Sequence, residues 1–119
     1  MKVGFNLLLW STHFVENEFP ILEKLKATGY DGVEVPIFDT SDPGHFEKIG
    51  QALQDHGLKA TAVTVVPDEA HSPISADTAH RAGAIDHLRR VIDCGQAFGA
   101  EALCGPYPKC LVFIIELLL

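Results

Sequence analysis

The chain has 119 residues, 47% of them hydrophobic and 21% charged, which sets one globular domain as the expectation and excludes a disordered chain. Its formal net charge is -7 with no run of Lys or Arg, so a phosphate backbone would be repelled and no nucleic-acid partner is expected. No small-residue cleavage site follows the apolar start "VGFNLLLW", and the three cysteines (Cys94, Cys104, Cys110) form no C-x-x-C pair. Reduced, buried thiols in a cytoplasmic protein are the expectation, with no membrane partner.

In chain order, residues 3–10 form an apolar run of strand length. Residues 11–18 read as a loop, with Asn17 a candidate helix cap. A helix follows with Pro20 in its first turn, Leu22 and Leu25 on its apolar face, and Gly29 at its exit. A second strand is expected over residues 32–38. The loop "DTSDPG" leads to a second helix, with Asp42 as N-cap, its carboxylate accepting free N–H groups, and Pro43 at the first helical position. Phe46, Ile49 and Leu53 recur at helical spacing, and Gly57 ends the segment. Residues 59–66, "KATAVTVV", are β-branched and nearly uncharged, as expected of a third strand. After a long loop over residues 67–75 comes the most periodic segment. Ala82, Ile85, Leu88 and Ile92 share one helical face, which predicts that this face is buried. Gly99 closes it, and residues 102–105 begin a fourth strand.

Strand and helix thus alternate, and a glycine marks each helix exit, the signature of βαβ units on a parallel sheet. Either a doubly wound open sheet or part of a (β/α)8 barrel would fit. No G-x-G-x-x-G or G-x-x-x-x-G-K follows the first strand, which favours the barrel over a nucleotide-binding open sheet. A whole barrel takes about 250 residues. The fold expected is therefore the N-terminal half of a (β/α)8 TIM barrel, about three and a half βα units over residues 1–107. In residues 108–119, nine of the last ten positions are apolar. This tail is too short to span a bilayer. It reads as an out-of-frame or truncated end; an element buried in an oligomer and a membrane-touching tail are the alternatives.

Three stretches carry a family resemblance: "MKVGFNLLLWSTHF", "ATGYDGVEVPIFD" and "HRAGAIDHLRRVIDCGQAFGAEALCGPY". Together they resemble the xylose isomerase-like barrels, and within them the sugar-phosphate isomerases/epimerases of the ketose 3-epimerase branch (tagatose and psicose epimerases). The resemblance implies a divalent cation, usually manganese, cobalt or magnesium, and proton transfer at the carbon next to a ketose carbonyl. Its metal ligands, two Glu, one Asp and one His, come from strands five to eight. No metal ligand or catalytic residue is therefore carried over, the half-barrel is expected to be inactive alone, and no cation is expected to be held by it.

The rim is what carries over. Barrel sites lie at the C-terminal ends of the strands. By that rule Asn6, Trp10, His13 and Phe14 at or after the first strand, Glu34 at the second, Thr64 at the third, and Pro106 and Tyr107 after the fourth are the candidate contacts to a sugar. Trp10 and Phe14 match positions where the branch walls its sugar with aromatics; Asn6 stands where several relatives carry an aromatic. Glu34 is expected to face the barrel interior, either as a carboxylate bracing the mouth or as a substrate contact. His13 and His71 fall on loops at the functional side. His45, His56, His80 and His87 fall on helices and are expected at the surface. Two other readings stay in view. One is a non-catalytic half-barrel that acts by pairing with a partner or itself, through open strand edges and the apolar tail. The other is an endonuclease IV-type DNA-repair barrel, disfavoured because Thr64-Val65-Val66 and Cys104-Gly105-Pro106 lack the His ligands that type carries.

Overall fold

The structure is a computed structural model that describes residues 1–105; the candidates Pro106 and Tyr107 and the apolar tail lie outside the described residues. Four strands form one parallel sheet in the order β1 (Gly4–Asn6), β2 (Gly32–Pro36), β3 (Lys59–Val63) and β4 (Leu103–Cys104). Three helices connect them: α1 (Pro20–Thr28), α2 (Pro43–Asp55) and α3 (Thr78–Ala97). Spatial order equals chain order, the winding of a barrel wall, since a doubly wound sheet reverses direction. The helix exits fall where the glycines predict: Gly29, Gly57 and Gly99 take φ of 107°, 63° and 74°, left-handed values that other residues adopt at a cost.

Side-chain alternation on β2 organises the core. Val33 and Val35 point to the helices and are buried against Leu22 and Leu25 of α1 and Phe46, Ile49 and Leu53 of α2. Ala60 and Ala62 continue that face onto β3, where Val91, Cys94 and Phe98 cover them. Glu34 and Pro36 fall on the opposite face, the concave side of the sheet.

Local expectations are corrected at the strand ends, the helix caps and α3. The first strand ends at Asn6, because the chain turns into a 3-10 segment at Leu7–Leu9. Asn6 Oδ1 accepts from the Leu8 N–H at 2.9 Å, and the Trp10 and Ser11 N–H groups both reach the Leu7 carbonyl at 3.0 Å. These local bonds use backbone groups that a longer strand would need. The second and third strands are likewise shorter than their apolar runs, ending at Pro36 and Val63. Asn17 caps nothing: Phe19 holds the N-cap position of α1. Asp42 does hold the N-cap of α2, but its side chain makes no capping bond there.

A further correction concerns α3. Its buried face is Ala84, His87, Val91, Cys94 and Gly95, while Ile85 and Ile92 are 52% and 47% exposed. Close approach decides this. A Cβ at Gly95 would stand 3.9 Å from Ile37 Cδ1 and 4.0 Å from Ala62 Cβ, so the helix lies on its small residues. The bulkier isoleucines are rotated outward. The expected surface position of His87 fails for the same reason.

The α2–α3 contact is equally close. A Cβ at Gly50 would meet Phe98 Cα at 2.9 Å and the Ala97 carbonyl oxygen at 3.0 Å. Helix propensity alone makes Gly50→Ala stabilising by about 1 kcal/mol, whereas forcing backbone apart costs about 1–3 kcal/mol. The clash is the larger effect. Gly50→Ala is expected to lower the urea midpoint by the equivalent of about 1 kcal/mol with an unchanged m-value. A midpoint equal to or above the parent's would refute the tight contact.

Candidate functional site

The carboxylate of Glu34, at the centre of β2, is held from both sides. Asn6 lies level with it on β1 and Thr61 lies level with it on β3. Asn6 Nδ2 donates to Glu34 Oε1 at 2.9 Å, and Thr61 Oγ1 donates to Glu34 Oε2 at 3.3 Å. The Leu8 N–H occupies Asn6 Oδ1, so the amide must turn its NH2 to the carboxylate. Each carboxylate oxygen thus has one protein donor, and an ionised carboxylate accommodates about four in total. Glu34 is half-buried and borders a cleft of about 290 Å³ whose lining includes Lys2, Asp31, Lys59 and Glu101 at the strand entries, the end opposite the one expected for a barrel site. Hydrogen-bond donors are the ligand chemistry this arrangement suits.

The other candidates are scattered. Trp10 stacks on Phe5 with ring centroids 4.4 Å apart, and Phe5 shares the helix-facing side of β1 with its register partner Val33. Trp10 and Phe14 line a separate apolar cleft of about 230 Å³ with Leu7, Glu18 and Ile21. Phe14 is a core residue, packed 5.4 Å from the Phe19 ring. Neither aromatic shares the concave face with Glu34. Thr64 is buried, and its hydroxyl donates to the Ile37 carbonyl at 2.6 Å, a bond that ties the end of β3 to the end of β2. Thr61, three residues before Thr64 and within reach of Glu34, is the threonine that sequence reading missed; its alternation with Ala60 and Ala62 was the available signal.

Histidines meet in two pairs, also missed. His13, after β1, stacks on His45 in the first turn of α2, with centroids 4.3 Å apart. His71, in the β3–α3 connection, bonds Asp68 Oδ1 through Nδ1 at 2.6 Å and meets the His87 ring at 5.7 Å. Burial, and then the neighbouring His13, hold the His45 imidazolium below its usual range, against the pull of Asp42. Burial also depresses His87, more than the Val65 backbone raises it. His87 is 8% exposed, and its Nε2 has no hydrogen-bond partner among the described residues.

Among the described residues, no three His, Cys, Asp or Glu side chains converge on a position for a metal ion. Each Glu34 oxygen already accepts one hydrogen bond. No helix among the described residues is long and apolar enough to cross a membrane.

A parallel barrel wall with a polar cluster on its concave face defines part of an α/β-barrel protein. The chain matches the family described as xylose isomerase-like TIM barrel over residues 22–110, and it belongs to that family. It is 28% identical over 110 residues to a protein of Synechocystis sp. named a probable ketose 3-epimerase, a match covering 91% of this chain and 37% of that one. It is also similar to the solved structure of a D-allulose 3-epimerase from Methylomonas sp. in complex with D-allulose, with a TM-score of 0.74, 26% identity, and coverage of 92% of this chain and 38% of that one. A D-psicose 3-epimerase structure determined in the presence of D-fructose superposes with a TM-score of 0.77 at 21% identity, which shows the fold, and covers 93% and 39%. The chain spans less than two-fifths of the length of each of these relatives.

Both depressed histidines bind protons more readily in the unfolded chain, whose ordinary value is 6.5. Their contribution to stability is complete above that value and is lost as pH falls through the lowered folded values. The Asp39 and Asp68 carboxyls are lowered by hydrogen bonds from Ser41 and His71, and their effect falls below the ordinary carboxylate value of 3.8. Urea midpoints should therefore decline from neutral pH toward pH 5, and His45→Gln/His87→Gln should remove most of that slope. An unchanged slope in the double variant would assign the decline to other groups.

Proposed function

We propose that this chain supplies the first four strands of a ketose 3-epimerase-like barrel, in which Glu34, positioned by Asn6 and Thr61, accepts hydrogen bonds from sugar hydroxyls. The observation that carries the reading is the doubly held carboxylate on the concave face. It comes with similarity to a probable ketose 3-epimerase across 91% of the chain. The reaction of that class removes the proton at the carbon next to the ketose carbonyl and returns one on the opposite face, so no atom is gained or lost overall. Glu34 is assigned to binding rather than to proton transfer, because each of its oxygens already accepts a hydrogen bond from a neighbouring strand. The proton-transfer groups and the cation belong to strands beyond the four described. Unpaired Cys94 and Cys104 suit the reducing cytoplasm, where we place the protein.

A chimera tests this. Residues 1–105 replace the corresponding segment of the Synechocystis relative, and exchange of the C3 proton of D-fructose and D-psicose with deuterated solvent is followed. The chimera is expected to exchange that proton. Glu34→Ala within it should raise KM about tenfold or more, the loss of a hydrogen bond to a charged group, with a smaller change in kcat. A chimera that folds cooperatively but exchanges neither ketose would defeat the proposal, as would an unchanged KM in the Glu34 variant.

A further inference from the structure

The connection from β3 to α3 folds back over the helix it enters, and both of its ends are tied down. At the β3 end the Thr64 hydroxyl donates to the Ile37 carbonyl at 2.6 Å. At the α3 end Arg81 Nη1 donates to the Ser75 and Ala76 carbonyls at 2.7 and 3.0 Å, and Ser75 Oγ meets His80 Nδ1 at 3.1 Å. Between these ties the connection rests directly on α3. A Cβ at Gly83 would stand 2.5 Å from the Ala70 carbonyl oxygen and 3.7 Å from His71 Cδ2. The His71 and His87 rings meet edge to face in the same contact, with centroids 5.7 Å apart.

Two polar atoms here are sealed from solvent without a hydrogen-bond partner among the described residues, His87 Nε2 and Ser72 Oγ. Ser72 is 1% exposed. A neutral His87 can leave Nε2 as a bare acceptor, since its other ring nitrogen serves the Val65 backbone. A proton on Nε2 would instead bury a charged N–H with nothing to accept it, a larger cost than an unpaired neutral group. The surrounding charges add to that cost. His71 on the connection and Arg90 on the same helix both oppose a cation at His87. Asp68 favours one, but its carboxylate is engaged by His71 Nδ1 at 2.6 Å. Once the connection lifts, water can accept the proton's hydrogen bond, and Ser72 Oγ is hydrated in the same movement.

We propose that the β3–α3 connection is an acid-released strap, closed on α3 while His87 is neutral and lifted between its ties at Thr64 and Ser75 when His87 takes a proton. The connection leaves β3 at the end of the sheet where barrel sites lie, so the strap makes one border of the mouth pH-dependent. Burial holds the closed-state imidazolium below its usual range. Closure is therefore fully favoured above the ordinary value of 6.5 and is lost as pH falls through the lowered value. The strap is independent of the ketose reading, and either can fail without the other.

Amide hydrogen exchange of the 119-residue chain, corrected for intrinsic chemical exchange, tests this. The His71, Ser72 and Ser75 amides bond within the connection. Their protection should fall by up to about tenfold between about pH 7.5 and about pH 5.5, the limit for one proton of ordinary value 6.5. Low urea should hardly change their exchange, because lifting a strap exposes little surface, whereas exchange in β2 should rise with urea. His87→Gln should flatten the pH dependence in the connection, and His45→Gln should leave it in place. The His87 Cε1 proton, followed by NMR in the parent chain, ties the release to that ring whether or not the variant folds. Protection that does not vary with pH, a urea dependence equal to that of β2, an unaltered slope in folded His87→Gln, or a His87 midpoint at or above 6.5 would each overturn the strap.

Discussion

Strict alternation along β2 is the constraint on which the rest of the molecule depends. Val33 and Val35 are drawn into the helix layer with Leu22, Leu25, Phe46, Ile49 and Leu53. Because successive residues of a strand point to opposite faces, that burial forces Glu34 onto the concave side. The carboxylate is thus placed by its apolar neighbours. A shift of one residue would drive it into the helix layer and expose both valines, at a cost of several kcal/mol on either count. What makes the concave position tolerable is the pair of donors on β1 and β3, which lie level with it in the hydrogen-bonding direction. The core and the polar cluster are therefore two results of one register.

Topology gathers the histidines in a comparable way. His13 follows β1 and His45 follows β2, and adjacent parallel strands deliver their following loops to the same end of the sheet. Two residues 32 positions apart consequently stack at 4.3 Å. His71 and His87 meet because the β3–α3 connection folds back over its own helix. A Cβ on Gly83 would stand 2.5 Å from the Ala70 carbonyl oxygen, so that glycine lets the loop settle beside the helix. Burial of one ring in each pair converts proximity into sensitivity to protonation.

Element types, their order and the parallel winding were legible in the sequence, because glycine at each helix exit and β-branched runs are local signals. The placement of Glu34 on the concave face was legible too, from Val33 and Val35 on either side. Strand ends were not. Residues 7–10 are as apolar as a strand, yet the Asn6 side chain and the Leu7 carbonyl capture the backbone in a turn. The buried face of α3 was misjudged because hydrophobic size favours Ile85 and Ile92, whereas the sheet selects for closeness through Gly95 and Ala84. The site was half legible. Asn6 and Glu34 are together, but Trp10 and Phe14 turn to the α1 side, and Thr64 spends its hydroxyl on Ile37. Position after a strand identifies which end of the barrel a residue occupies; it does not determine the face, which depends on parity and on the path of the turn.

Two alignments run across the same sheet and carry different chemistry. Asn6, Glu34 and Thr61 follow the hydrogen-bonding direction, level from strand to strand. Strands are about 4.8 Å apart along that line, which is why one carboxylate can reach donors on both neighbours. Lys2, Asp31, Lys59 and Glu101 follow the barrel's circumference, stepping one residue per strand. Each step moves the side chain to the opposite face, so these charges suit the solvated rim, where alternating sign lowers repulsion without burying any of them. A cluster built on the first alignment stays within neighbouring strands and can be completed by three of them. A ring built on the second is complete only when the sheet closes. The polar cluster is therefore contained in three neighbouring strands, whereas the line of charges crosses all four, with Lys59 and Glu101 paired at 3.1 Å.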